Sequence, residues 1–273
     1  MGSRTEKLLT AMLNGETVTD FEPTSRVEAY LLYLIKGDGE LPAPVSRLDA
    51  LLYRLAEQGI GTGGGKVGAL AAGTIETVTE GDLQGVTIIR DYAFRMCKQL
   101  KTVVIPEGVA TIGANVFYGC SALESVRLPE SLTEFGTMGY IFANCEALTS
   151  IDIPGSVASI PTYTFRGCTG LTDVRLHEGL TLIKDHGFYN CRALTAMTIP
   201  ATVVEIEAQA LHIGAPTALA TITFLSTTPP TIAAETFDAT RLAKIIVPTG
   251  CGEAYKTAEN WTAFADYIEE ATA

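Results

Sequence analysis

Histidine and charged residues are scarce in this sequence, which limits the chemistry the chain can perform. Only 18% of the 273 residues are charged, and the three histidines are His177, His186 and His212. None of them lies in an H-E-x-x-H motif, near a Gly-x-Ser-x-Gly nucleophile turn or in a Cys/His cluster. We therefore predict a protein that is not an enzyme, with no catalytic residue, no metal ligand and no cofactor.

Basic residues are also in deficit. The chain has 19 Lys and Arg against 31 Asp and Glu, a formal net charge of −12. An acidic surface repels phosphate backbones, and no basic run is present to dock to an anionic membrane. An apolar stretch of about 18 residues, the shortest that spans a membrane as a helix, is missing as well. We expect no nucleic-acid partner and no membrane insertion. We also expect no secretory signal peptide, because the first apolar run is short and interrupted.

What the sequence does contain is a repeat. Five cysteines are spaced 23, 25, 23 and 23 residues apart: Cys97, Cys120, Cys145, Cys168 and Cys191. Phenylalanines recur in the same phase at Phe94, Phe117, Phe142, Phe165 and Phe188, and prolines at Pro106, Pro129, Pro154 and Pro200. Self-similarity at a fixed period of this length is typical of solenoid proteins.

Each repeat unit combines a short strand with a turn. Val103 and Ile105 alternate with variable residues, as the buried face of a strand does, and Pro106 has no N–H with which to continue the ladder. Phe117 and Cys120, three residues apart, suit a short helical or 3-10 turn. Stacked units would bury one continuous core and align their strands in a parallel sheet. The sequence therefore predicts an α/β solenoid of parallel strands over residues 75–250.

Three irregularities interrupt the repeat. The first unit has no clear strand before Val86. The unit that starts at Leu123 carries two extra residues near 137–139, which we interpret as a surface bulge. Two degraded units start at Leu219 and Leu242.

The phased cysteines invite a metal or disulfide interpretation. Zinc sites need ligands that converge from two short pairs, whereas these cysteines lie one unit apart along a line. We favour a buried ladder of free thiols that pack as small hydrophobes, with disulfides or a metal as alternatives. Cys251 lies outside the ladder, and we expect it to be more exposed.

The N-terminal part of the chain follows a different pattern. Ser3, Ser25 and Ser46 are each followed three residues later by an acid, which predicts a small all-α module of three short capped helices over residues 1–58. Such short helices are unstable alone, so they must pack on one another, on the solenoid or on a partner. Residues 59–74 contain Gly63-x-Gly65-x-x-Gly68 without a preceding strand, and we interpret them as a flexible linker.

The repeats resemble the BspA-type leucine-rich repeats of bacterial surface proteins. The tail with Trp261, Phe264 and Ile268 also looks like the terminal unit of that family. The resemblance implies a right-handed leucine-rich-repeat solenoid whose last coil is covered by a helical cap over residues 251–273, with the aromatics of the helix shielding the open end. It also implies a location at the cell surface, adhesion, and binding of proteins or glycans. The N-terminal segments resemble phage and prophage structural proteins. That resemblance suggests a second hypothesis, a tail-associated or receptor-binding component of a phage particle.

The predicted sheet presents charged residues at its outward positions. Arg127, Asp152 and Arg175 would align in register as a plus-minus-plus row, and Glu124 and Asp173 lie close by. This row is either a ligand-binding surface or a set of ion pairs that keeps the face soluble. Our hypothesis is a non-catalytic scaffold that binds a protein or glycan through this face. Residues 1–58 would dock to a larger assembly.

Overall fold

A computed structural model describes residues 76–83, 85–214, 221–238 and 242–272. The chain divides into two units between Glu76 and Thr77, and the repeats belong to the second unit. The three capped helices, the linker, and with them the phage-particle hypothesis, concern residues outside those described. Leu219, at the start of a degraded unit, also lies outside them.

The first row of strands forms one side of the solenoid. Its members are β1 (Thr77–Val78), β3 (Thr102–Val104), β5 (Ser125–Arg127), β7 (Ser150–Ile153), β9 (Asp173–Leu176), β11 (Ala196–Ile199), β13 (Thr221–Phe224), β15 (Lys244–Val247) and β16 (Ile268–Glu270). They pair in parallel as three successive sheets, β1-β3-β5, β7-β9 and β11-β13-β15-β16. In β7, Ile151 and Ile153 are buried while Ser150 and Asp152 are exposed, the alternation expected of a half-buried strand. We call the outward side of this row the sheet face.

A second row consists of strands of two residues each. They are β2 (Ile88–Ile89), β4 (Thr111–Ile112), β6 (Glu134–Phe135), β8 (Ser159–Ile160), β10 (Leu182–Ile183), β12 (Glu205–Ile206) and β14 (Thr231–Ile232). These strands also pair in parallel, and the second residue of each is buried. The strands of this second row were not predicted from the sequence.

The third side of each coil is built of turns. Cys120 donates its N–H to the carbonyl of Phe117 at 3.1 Å, the i,i+3 bond expected of a 3-10 turn, and similar bonds join Tyr118 to Asn115 and Leu123 to Cys120. Positive φ angles at Asn115 (56°) and Gly119 (70°) interrupt any helix. The N–H of Phe117 instead reaches the next coil and donates to the carbonyl of Ile141 at 2.8 Å. We call the outward side of these turns the turn face.

The core holds two ladders beneath the turn face. The phased phenylalanines are at most 1% exposed and stack with ring centroids 5.0–5.4 Å apart. The thiols of Cys120, Cys145, Cys168 and Cys191 each donate to a phenylalanine carbonyl of the preceding coil, at 3.0–3.2 Å. The predicted ladder of buried free thiols is confirmed, and Cys251 is only partly buried. Burial raises the pKa of Cys168 to about 12, which keeps the thiol protonated.

Two of the irregular units can be compared with their predictions. The expectation that the first unit lacks a strand is wrong, since β1 pairs with β3 and buries Val78. A strand of two residues is too short to show an alternation in sequence. The bulge is confirmed. Residues 137–138 form a turn in which the N–H of Gly139 donates to the carbonyl of Gly136 at 2.9 Å, and Met138 is 57% exposed.

The C-terminal end of the solenoid is covered by α1 (Gly252–Thr257) and a 3-10 helix (Thr262–Tyr267). Tyr255 donates its hydroxyl to the carbonyl of Ser226, and Trp261 donates its indole N–H to the carbonyl of Pro230, both at 2.8 Å. Trp261 and Phe264 are buried, as a shield over the last coil requires. Within the segment expected as a helical cap, Ile268–Glu270 form the strand β16, which extends the parallel sheet by one strand.

Candidate binding faces of the solenoid

The sheet face presents the charged residues that the sequence singled out. Arg127 ends β5, Asp152 lies in β7, Asp173 and Arg175 lie in β9, and Glu124 precedes β5. All five are exposed. Asp152 and Arg175 are register partners, as expected, whereas β5 and β7 belong to different sheets.

These charges pair differently from the expected row. Arg127 contacts Glu80 at 3.2 Å. Arg175 contacts Asp173 on its own strand at 3.5 Å. Asp152 contacts His177 at 2.7 Å rather than Arg175. The plus-minus-plus alignment therefore does not become a chain of mutual ion pairs, because each long side chain finds a different neighbour.

His177 is a functional candidate that the sequence analysis did not include. It occupies the position that proline holds in neighbouring coils, and its side chain is 53% exposed beside Asp152. The signal was the break in the proline series. Exposed ion pairs of this kind each contribute only about 0–1 kcal/mol to stability. The sheet-face pairs are therefore dispensable for the fold and can exchange their partners.

Two other acids beside the sheet face have a structural role. Glu107 accepts the N–H groups of Glu130 and Ser131 from the next coil, at 3.1 and 3.2 Å. Glu178 accepts the N–H groups of Ala201 and Thr202, both at 3.0 Å. In each case these backbone hydrogen bonds favour the charged form and lower the pKa of the carboxyl. Such carboxylates brace adjacent coils.

The turn face carries two columns of side chains that flank the phased core position. The first column, two residues before each phenylalanine or Leu211, is Tyr92, Asn115, Tyr140, Tyr163, His186 and Gln209. The second column, one residue after it, is Arg95, Tyr118, Ala143, Arg166, Tyr189 and His212. Every member of the first column has a positive φ, between 52° and 65°.

Most members of the two columns are joined in a chain of ring contacts. Tyr140 stacks on Tyr163 at 4.6 Å between ring centroids, and Tyr189 stacks on His212 at 5.4 Å. His186 links the two stacks, at 4.5 Å from Tyr163 and 4.9 Å from Tyr189. We call the whole set the aromatic ribbon: Tyr92, Arg95, Tyr118, Tyr140, Tyr163, Arg166, His186, Tyr189 and His212.

Two arginines complete the aromatic ribbon. The guanidinium carbon of Arg95 lies 5.6 Å from the ring centroid of Tyr92 and 5.0 Å from that of Tyr118. Arg166 lies 5.7 Å from the ring centroid of Tyr163. These distances are those of cation–π interactions. The rings are partly buried and the two arginines are exposed, so the ribbon forms part of the surface.

Ring contacts offset part of the backbone cost at Tyr140, Tyr163 and His186, the residues of the first column whose rings contact another ring. A left-handed residue other than glycine costs roughly 1–2 kcal/mol. A stacked aromatic pair returns about 0.5–1.5 kcal/mol, and the N–H of Tyr163 also bonds to the carbonyl of Asp185 in the next coil. The ribbon was not predicted, because the repeat was defined by its buried phenylalanines and cysteines and by its prolines. The signal was the recurrence of aromatic residues two before and one after each phenylalanine.

Among the described residues, no group of three or more His, Cys, Asp and Glu side chains could hold a metal ion. Nor does any helix within the described ranges have the length and apolar character needed to span a bilayer.

Parallel strands stacked in coils of about 23 residues around phased Leu, Phe and Cys define a leucine-rich-repeat solenoid. A family model described as the BspA type leucine rich repeat region matches six copies within residues 77–140 and 137–260. The protein therefore belongs to the BspA-type leucine-rich-repeat family. Members of this class are in general non-catalytic repeat scaffolds. A comparison with curated proteins gives no match.

The chain is also similar to solved structures of bacterial leucine-rich-repeat proteins. One from Bacteroides ovatus is 22% identical, with a TM-score of 0.44, over 63% of this chain and 59% of its own. One from Eubacterium ventriosum is 27% identical, with a TM-score of 0.43, over 50% and 40%. One from T. pallidum is 29% identical, with a TM-score of 0.34, over 41% and 63%. The chain thus spans less than two thirds of the length of each.

Proposed function

We propose that this protein is a non-catalytic recognition scaffold that binds a protein ligand through its sheet face. Leucine-rich-repeat proteins in general mediate protein interactions, which favours a protein over a glycan as the ligand. The observation that carries the proposal is the exposure of the sheet-face charges, since the side chains of Arg127, Asp152 and Arg175 are 65%, 58% and 68% exposed. Glu124 and Asp173 extend the same polar area.

The ligand would exchange the existing ion pairs for pairs of its own. Each sheet-face pair is solvent-screened, so opening it costs little, whereas a charge pair buried beneath a bound partner is stronger. The contact between Asp152 and His177 places an acceptor and a titratable ring at the centre of this area. Arg127 and Arg175 supply cations on either side of it.

The first experiment identifies a ligand and then tests the face. Full-length protein is screened on arrays of proteins and glycans, and the best binder is measured against the triple variant Arg127→Glu, Asp152→Arg, Arg175→Glu. We expect binding to fall at least about tenfold, since opposed charges replace favourable ones. The matched control reverses three exposed charges outside the sheet face, Arg90→Glu, Lys98→Glu and Glu146→Arg. The net change in charge is the same as in the triple variant.

Three results would contradict the proposal. The first is equal binding by the triple variant and the unchanged protein. The second is an equal loss of binding in the control, which would indicate a nonspecific effect of charge. The third is an array in which only glycans bind, which would replace the protein ligand by a glycan.

A further inference from the structure

We infer that the aromatic ribbon is a second binding surface, which receives an extended acidic segment of a partner protein. The segment would run along the solenoid axis with two acidic side chains four residues apart. Their carboxylates would pair with Arg95 and Arg166. This inference adds a surface to the proposed recognition function and does not depend on the sheet face.

The turns place large side chains at backbone positions with a left-handed conformation. Each of the five regular turns has two such positions, four residues apart. The later position is held by Met96, Gly119, Asn144, Gly167 and Asn190, so four of the five are the residues that adopt positive φ most readily. The earlier position, in the first column, holds no glycine and three tyrosines. A large polar ring is thus placed where backbone preference alone would favour glycine.

The two arginines of the ribbon differ from those of the sheet face in their partners. No carboxylate of the described residues forms an ion pair with Arg95 or Arg166, and both guanidiniums rest on tyrosine rings. On the sheet face, by contrast, Arg127 and Arg175 already have carboxylate partners. The two histidines of the ribbon do have acidic neighbours, His186 with Asp185 at 2.7 Å and His212 with Asp238 at 3.8 Å. The cations that the ribbon offers to a partner are therefore Arg95 and Arg166, in a chain of net charge −12. Charge complementarity selects a partner that brings carboxylates.

The distance between Arg95 and Arg166 indicates the conformation of the bound segment. Arg95 and Arg166 occupy equivalent positions three coils apart, which is about 14 Å at the usual separation of stacked strands. An extended chain covers this distance in about four residues, and residues four apart point to the same side of a strand. A helical segment would cover only about 6 Å in four residues. The ribbon is therefore matched to an extended segment.

Tyrosine rings lie between the two arginines. The rings of Tyr140 and Tyr163 are fixed by their mutual stacking, so their binding costs little side-chain entropy. Their hydroxyl groups make no hydrogen bond with the described residues and can bond to the backbone of a bound segment. Because the ring faces are occupied by neighbouring rings, the geometry favours polar contacts at the ring edges over the stacking of sugars on exposed faces.

A labelled synthetic peptide with two glutamates four residues apart in a threonine and valine host provides the test. Its binding to the full-length protein is followed by fluorescence anisotropy. The variant Arg95→Gln with Arg166→Gln should weaken binding at least about tenfold, since two charge-assisted contacts are lost. The variant Arg127→Gln with Arg175→Gln changes the net charge equally on the sheet face, and binding should stay within about twofold.

Two further peptides test the geometry. One replaces both glutamates by glutamine, and the other places them three residues apart, on opposite sides of an extended chain. Both should bind at least about tenfold more weakly than the first peptide. Circular dichroism of each protein variant confirms that the fold is kept. The variant Tyr163→Phe keeps the ring and should weaken binding less than the arginine variant does.

The inference is overturned by any of four outcomes. They are no binding of the first peptide at about 1 mM, equal weakening by the two arginine variants, indifference to glutamate spacing, and binding of a sulfated oligosaccharide in place of the peptide. A failure of the sheet-face proposal is recognised separately, because it concerns the array ligand and the reversal of Arg127, Asp152 and Arg175. Either surface can thus be rejected while the other stands.

Discussion

The sheet face and the turn face are made by the same repeat, yet they use their side chains in opposite ways. On the sheet face, charged groups such as Arg175 and Asp152 neutralise neighbours within the protein. On the turn face, Tyr163 and its neighbours stack on one another, and Arg166 rests on a ring without a carboxylate. A charged surface is therefore not the same as a surface whose charged groups lack a partner. Both arginines of the predicted sheet-face row are paired within the protein, whereas Arg95 and Arg166 of the ribbon form no ion pair with a carboxylate of the described residues.

The largest expected effect separates the core beneath the turn face from the ribbon on it. Phe165 is fully buried between Phe142 and Phe188, and Phe165→Ala should destabilise the solenoid by roughly 3–5 kcal/mol because it leaves a cavity. Tyr163→Ala, two residues away, removes a partly exposed ring and should cost about 1–2 kcal/mol. Urea unfolding followed by circular dichroism measures both changes.

The destabilisation by these two variants decides whether Phe165 belongs to the core and Tyr163 to the surface. An effect of Phe165→Ala below about 1 kcal/mol would show that the repeat register is wrong. Equal costs for the two variants would make Tyr163 part of the core, and the case for the ribbon as a surface would weaken.

The second prediction uses the thiols as reporters of the turn face. Cys145, Cys168 and Cys191 are 0% exposed, and burial raises their pKa, so they should be inert to a thiol reagent in the folded protein. Cys251 is partly exposed and should react first. We expect one thiol to react rapidly at neutral pH and the ladder thiols only on unfolding. Fast reaction of more than one thiol would mean that the turn face opens while the sheet face stays folded.

Much of this architecture could be predicted from the sequence, and the reasons are physical. Phe117 and Cys120 have equivalents at the same place in five successive coils, so a packed core imposes their recurrence and their phase reveals the solenoid. Surface partners are not constrained in this way. Nothing in the spacing of Asp152 and Arg175 indicates that Asp152 selects His177, because that choice depends on rotamers and on a single replaced proline.

The ribbon escaped prediction for a related reason. Its first column mixes Tyr140, Asn115, His186 and Gln209, which share a left-handed backbone rather than a chemical type. The recurrence of aromatic residues is therefore incomplete, and a shared backbone conformation adds no periodic signal of its own. The family resemblance did not supply it either, since it concerned the repeat and not the variable residues around it.

The smallest expected effect concerns the carboxylates that brace coils beside the sheet face. Glu107 and Glu178 have a pKa below the value for the unfolded chain, because backbone N–H groups of the next coil bind their charged forms. Their contribution to stability is present above the unfolded pKa and is lost as the pH falls through the lower, folded pKa. The variant Glu107→Gln with Glu178→Gln should therefore reduce the fall in melting temperature below about pH 4.5. The control Glu146→Gln changes an exposed acid outside the sheet face, and its melting temperature should fall at acid pH as steeply as that of the unchanged protein. If both variants reduce this fall equally, general charge repulsion rather than the bracing of coils governs stability at acid pH. The distinction between the two faces would then fail.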